Sequence, residues 1–131
     1  MPQLIQSGSG PSLQVVVCLC AEWCDTCRSY KNSFTKLARD NPADAFVWID
    51  IEDDSEWVAD IDVENFPTLL IAFDDELRFF GTLLPQPGQL ARLLQTTRLA
   101  AAVQSPDAEI LRLLSHIRRV LLQAECGPAG R

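Results

Sequence analysis

Trp23-Cys24-Asp25-Thr26-Cys27 stands between two segments of opposite periodicity. Before it, Leu13-Gln14-Val15-Val16-Val17-Cys18-Leu19-Cys20 is a run of strand formers. After it, Tyr30, Phe34, Leu37 and Ala38 recur at helical spacing, and no Gly or Pro interrupts them before Asp40. The stretch therefore predicts a strand, a turn and a helix, with two thiols at the turn. Thiols two residues apart at the start of a helix can close into a small disulfide ring and reopen. A helix N-terminus carries partial positive charge and free N–H groups, and so favours a thiolate on the first cysteine. Thiolate, not thiol, is the nucleophile that attacks a disulfide.

Working outward, Asn41-Pro42 ends the first helix, and Ala45 to Ile51 reads as a buried strand. Asp53 to Ile61 reads as a short helix capped by Asp53 or Asp54. Pro67 to Phe73 and Leu77 to Gly81 form a hairpin about the turn Asp74-Asp75-Glu76. Pro87-Gly88 opens a helix to about Val103. Ser105-Pro106-Asp107 (cap, proline, first-turn acid) opens another to about Gln123, with Ile110, Leu113, Leu114, Ile117, Val120 and Leu121 on one face. Leu4-Ile5-Gln6 can add a short edge strand. The order β-α-β-α-β-β-α implies an α/β sandwich with a mixed central sheet. The expected organisation is a flexible segment over 1–12, a domain over 13–104, an added C-terminal helix over 105–124 packed on it, and a disordered tail over 125–131.

Ala21-Glu22-Trp23-Cys24-Asp25-Thr26-Cys27, followed some forty residues later by Phe66-Pro67-Thr68-Leu69-Leu70, resembles the thioredoxin family over about residues 13 to 97. A Cys-X-X-Cys alone is weak, because zinc sites use the same spacing. The distant X-Pro-Thr makes the match specific. The resemblance implies a thioredoxin-like three-layer sandwich, here with a shortened N-terminal part, since only 23 residues precede Cys24. It also implies a thiol–disulfide oxidoreductase that reduces protein disulfides, needs no bound cofactor and draws electrons from a reductase, such as a flavoprotein.

Within that resemblance Cys24 is the expected nucleophile and Cys27 the resolving thiol. Trp23, Phe66 and Pro67 form the substrate-binding surface. Pro67 in the cis form exposes the backbone of Phe66, so that an extended substrate can pair there as an added strand. The family's usual Gly-Pro between the cysteines is replaced by Asp25-Thr26. A carboxylate there opposes thiolate formation at Cys24, which marks Asp25 as the residue that tunes its acidity and favours a reductant. Cys18 falls where the family keeps a buried aspartate, and Cys20 where it keeps a tryptophan. A thiol is a poor substitute for that acid, so resolution by Cys27 is expected to be slow. Cys18 and Cys20 share a strand face and with Cys24 and Cys27 spell C-x-C-x3-C-x2-C. A zinc or iron–sulfur site is weighed against small buried thiols, and the latter is preferred, with no metal expected.

The 131 residues hold 11 basic and 18 acidic side chains, a net charge of −7, and 47% hydrophobic residues. That is enough for one domain with a proper core. Residues 1–97 carry 6 Lys/Arg and 15 Asp/Glu, hence −9, while 98–131 carry 5 and 3, hence +2. Eight acids and no base lie between Asp50 and Glu64. Such a surface disfavours nucleic acid and anionic lipid. No signal peptide or apolar run of membrane length is visible, and five cysteines, an odd number, agree with a reducing compartment, so a cytoplasmic location is expected. Cys126 reads as incidental, and His116 as a solvated-face residue. A monomer is expected, with a dimer through the last helix as the option that its near-heptad spacing leaves open. The alternative function is a thioredoxin-fold accessory protein with little redox turnover, holding a client protein with its acidic face and C-terminal helix.

Overall fold

A computed structural model describes residues 2–8, 14–58, 61, 63, 65–73, 76–84, 86–99, 101–104 and 106–122. Five strands, β1 (Gln3–Gln6), β2 (Gln14–Cys20), β3 (Ala45–Asp50), β4 (Thr68–Phe73) and β5 (Glu76–Thr82), form one mixed sheet in the order β1-β3-β2-β4-β5. β2 lies at its centre, parallel to β3 and antiparallel to β4, which explains why all seven of its residues are buried. Gln3–Gln6, inside the segment expected to be flexible, pairs antiparallel with β3 at the sheet edge. Leu13, Asp74, Asp75 and the expected tail with Cys126 lie outside the described residues.

Alternation along β2 divides the core. Val16, Cys18 and Cys20 face a layer with Phe46, Trp48, Leu69 and Ile71. That layer is covered by α1 (Asp25–Asp40) and α3 (Pro87–Thr97). Val15, Val17 and Leu19 face the opposite layer, covered by α2 (Ser55–Val58) and α4 (Ala108–Ile117). In α1 the buried residues are Cys27, Tyr30, Phe34 and Ala38, one stripe at helical spacing. The same stripe carries the thiol at its first turn and the core contacts beyond it.

Three helices differ from their sequence patterns: α2 begins at Ser55, two residues after the expected Asp53, and Ile61 lies outside it. α3 stops at Thr97 instead of near Val103. The hydroxyls of Thr96 and Thr97 donate back to the Leu93 and Leu94 carbonyls at 3.0 and 3.1 Å, and the buried Gln14 amide donates to the Thr97 hydroxyl at 2.7 Å. The chain then returns to the sheet, where the Val103 N–H donates to the Leu77 carbonyl at 2.7 Å. In α4 the N-cap is Asp107, whose carboxylate accepts from the Glu109 N–H at 2.8 Å, so the helix begins two residues after the expected cap. It ends in a π-helical turn, Arg118–Leu122. Among the described residues no helix is long and apolar enough to cross a membrane.

Candidate active site at the junction of β2 and α1

The C-terminal end of β2 delivers the chain to the N-terminus of α1 through Ala21, Glu22 and Trp23. Cys24 is the N-cap residue, with extended backbone and no side-chain cap bond. Its carbonyl accepts the first intrahelical bond, from the Arg28 N–H at 3.1 Å. The N–H groups of the first turn have no partner inside the helix, and they give this end of α1 partial positive charge. Cys24 is half-buried, whereas Cys27, one turn on, is buried and its sulfur accepts from the Ala21 N–H at 3.4 Å.

The disulfide in this structure is Cys20–Cys27, and Cys24 is a free thiol. This differs from the Cys24–Cys27 pairing expected from the sequence. Cys27 turns from α1 into the layer beneath β2, the side to which Cys20 also points. Their Cα atoms lie 5.7 Å apart, within the span of a disulfide. Cys18 is the second free thiol of the site, buried, with its sulfur 4.0 Å from that of Cys20. Burial pushes the Cys18 thiol well above its ordinary 9.0. Two of the four thiols in C-x-C-x3-C-x2-C are thus bonded to each other.

The surface around Cys24 is aromatic. Trp23 is 60% exposed and meets Phe66 edge to face, with ring centroids 5.7 Å apart. Phe66 and Cys24 both pack against the α1-side core layer. The Phe66–Pro67 peptide bond is cis, and the Pro67 carbonyl accepts from the Leu83 N–H at 3.2 Å, which ties this loop to the end of β5. Thr68 donates to the Asn65 carbonyl at 2.6 Å across the same turn.

Asp25 faces water and pairs with Arg28, whose other nitrogen donates to the Glu22 carbonyl at 2.8 Å. Its charge is therefore shared with a guanidinium that the sequence reading left out. The i, i+3 spacing of Asp25 and Arg28 was the signal for it. On the far side of the disulfide, a cleft of about 550 Å³ has Cys27 in its wall together with Arg28, Lys31, Trp48, Asp50 and Asp53. Asp50 accepts from the backbone N–H groups of Glu22, Glu52 and Asp53 at 2.8, 2.8 and 3.0 Å. The carboxylates of Glu22, Asp50 and Asp53 come within 4.8 Å of one another. So part of the acidic run lies beside the thiols, while Asp60, Asp62 and Glu64 lie outside the described residues. His116 is remote from this site, stacked on Trp57 at 3.9 Å.

Residues 4–82 match the family model described as Thioredoxin. Thioredoxin C-3 of Corynebacterium nephridii is 35% identical over 63 residues, which are 48% of this chain and 43% of that protein. The match thus spans less than half of that relative's length. Among solved structures, the thioredoxin of Trypanosoma brucei brucei superposes with a TM-score of 0.58 at 25% identity, over 72% of this chain and 80% of that one. The long form of thioredoxin F from spinach chloroplast does so with a TM-score of 0.57 at 20% identity, over 70% and 74%.

Proposed function

The chain belongs to the thioredoxin family, and from that premise we propose that it is a thiol–disulfide oxidoreductase that reduces protein disulfides through Cys24 and Cys27. The observation that carries this reading is the pair of thiol environments at one helix start. Cys24 is a half-buried free thiol at the N-cap, and Cys27 is buried and able to form a disulfide.

In the proposed cycle the Cys24 thiolate attacks one sulfur of the substrate disulfide and releases the other as a thiolate. The resulting mixed disulfide is then attacked at the Cys24 sulfur by the Cys27 thiolate. The second substrate thiol leaves, a Cys24–Cys27 disulfide remains, and two electrons have passed to the substrate. Exposed Trp23 and half-buried Phe66, held by the cis bond to the buried Pro67, form the apolar surface proposed to receive an extended substrate segment. A dithiol-supplying reductase restores the reduced protein, in a cytoplasmic setting. The cleft with Cys27 in its wall carries Asp50 and Asp53 together with Arg28 and Lys31, and the reducing direction rests on the family reading.

Insulin reduction with dithiothreitol as electron source tests the reading. The wild-type chain should accelerate it, Cys24→Ser should abolish the acceleration, and Cys27→Ser should accumulate a mixed disulfide through Cys24. Activity that survives Cys24→Ser would overturn the assignment. The accessory-protein alternative is favoured by one observation, the thiol of Cys18 at the place expected for a buried acid. Against its use of the C-terminal helix stand Ile110, Leu113, Leu114 and Ile117, which are buried in the core beside the sheet.

A further inference from the structure

We propose that Cys20 is a third redox residue of this site and takes over the disulfide from Cys24 by exchange on Cys27. The inference rests on the reading that substrate oxidises Cys24 and Cys27, and adds a step after it. Cys27 can hold one bond at a time, and two candidate partner thiols, Cys20 and Cys24, precede it in the chain. Cys24 precedes it by three residues at the helix N-cap, and Cys20 reaches it from the end of β2 with 5.7 Å between Cα atoms. The arrangement with Cys20 bonded and Cys24 free is the one in this structure.

The step balances without an added oxidant. The Cys20 sulfur attacks the Cys27 sulfur of the Cys24–Cys27 disulfide. A Cys20–Cys27 bond forms, the Cys24–Cys27 bond breaks, and the proton lost by Cys20 ends on Cys24. No net electrons move. Environment sets the direction. With Cys24 and Cys27 bonded, the Cys20 thiol is left fully buried beside the buried thiol of Cys18. After exchange the polar thiol is at half-buried Cys24, where water and the first-turn N–H groups can reach it, and the neutral disulfide occupies the dry layer. The oxidising equivalents are then held behind the substrate face, and Cys24 is a thiol without its resolving partner. Turnover waits until an external dithiol reopens the buried bond.

Peptide mapping reads this directly. The reduced wild-type chain is oxidised with one equivalent of diamide, its remaining thiols are capped with N-ethylmaleimide in denaturant, and it is cut after Glu22 and Arg28. The proposal expects peptide 1–22 joined to peptide 23–28, with one cap on each, appearing after an initial form in which 23–28 is closed on itself. In Cys20→Ala the joined species should be lost and the closed 23–28 peptide should persist. If 23–28 in the wild type stays closed and 1–22 keeps two caps, Cys20 takes no part and the proposal falls while the reductase reading stands. A disulfide between Cys18 and Cys20 has the same consequence. If Cys20→Ala forms no disulfide although the wild type does, no exchange from Cys24 occurs, and the proposal falls. A wild-type chain with no disulfide in either peptide overturns the reductase reading itself.

Discussion

Cys18 and Tyr30 lie in the same dry layer beneath α1, and both keep their protons there. Burial raises the Cys18 thiol, and burial, then the neighbouring Cys18, raises the Tyr30 hydroxyl above its ordinary 10.0. The Tyr30 oxygen has no hydrogen-bond partner among the described residues. A thiol held neutral in this way cannot act as the buried base that the acid of the family supplies, and the expectation of slow resolution by Cys27 rests on that. The sign for stability follows. From about pH 9 upward an unfolded chain loses these protons and the folded chain retains them, so the unfolded state binds fewer protons and stability falls as pH rises. Each group contributes a slope on the order of 1 kcal/mol per pH unit once its unfolded form titrates. Urea melts at pH 8 to 11 should show this loss, and Cys18→Ala or Tyr30→Phe should flatten it. Unchanged slopes in both variants would contradict the assignment. On the surface, an aromatic contact between exposed Trp23 and a substrate side chain is worth about 1 kcal/mol beyond area burial, roughly a five-fold effect. Trp23→Ala should lower kcat/KM by about that factor for a protein disulfide and leave a small disulfide unaffected. Equal losses for both would remove Trp23 from substrate binding.

α4 belongs to the core layer on one face of the sheet. The sheet face of Val15, Val17 and Leu19 is apolar and needs a cover. α4 covers it beside α2, through Ile110, Leu113, Leu114 and Ile117, and Trp57 of α2 stacks on His116 of α4. The helix is therefore part of the fold. Ile117→Ala should cost about 2–5 kcal/mol in chemical denaturation, as for other fully buried aliphatic side chains. A loss below ~1 kcal/mol would mean that α4 is docked loosely. Helix ends were the least legible feature. The helical pattern after Pro87 continues past Thr97, and what stops it is tertiary: Gln14 bonded to Thr97, and Arg98 clamped on the buried carboxylate of Asp44 at 2.6 and 2.8 Å. No local sequence window contains those partners. Burial raises the Asp44 carboxyl, with Arg98 opposing the rise.

For the molecule as a whole, charge and chemistry meet on one side. The net −7 includes Asp50 and Asp53, which fold beside Cys27, so the acidity legible in the sequence reaches the site through β3 and the loop after it. The mixed sheet flanked by helices was legible because β2 is a run of strand formers and α1 carries one apolar stripe, whereas the strand order came from the structure. The partner of Cys27 was not legible. Spacing along the chain favours Cys24, and only the fold shows that the end of β2 brings Cys20 within bonding range. The role of Arg28 beside Asp25 also waited for the structure, although its spacing was visible. The central claim is that these thiols form a reducing couple, and the reduction potential of the chain, read by equilibration with dithiothreitol buffers, tests it most directly. The account predicts a reversible two-electron couple near or below about −270 mV. A couple near −180 mV or above, as in isomerases and oxidases, or no reversible couple at all, would contradict it.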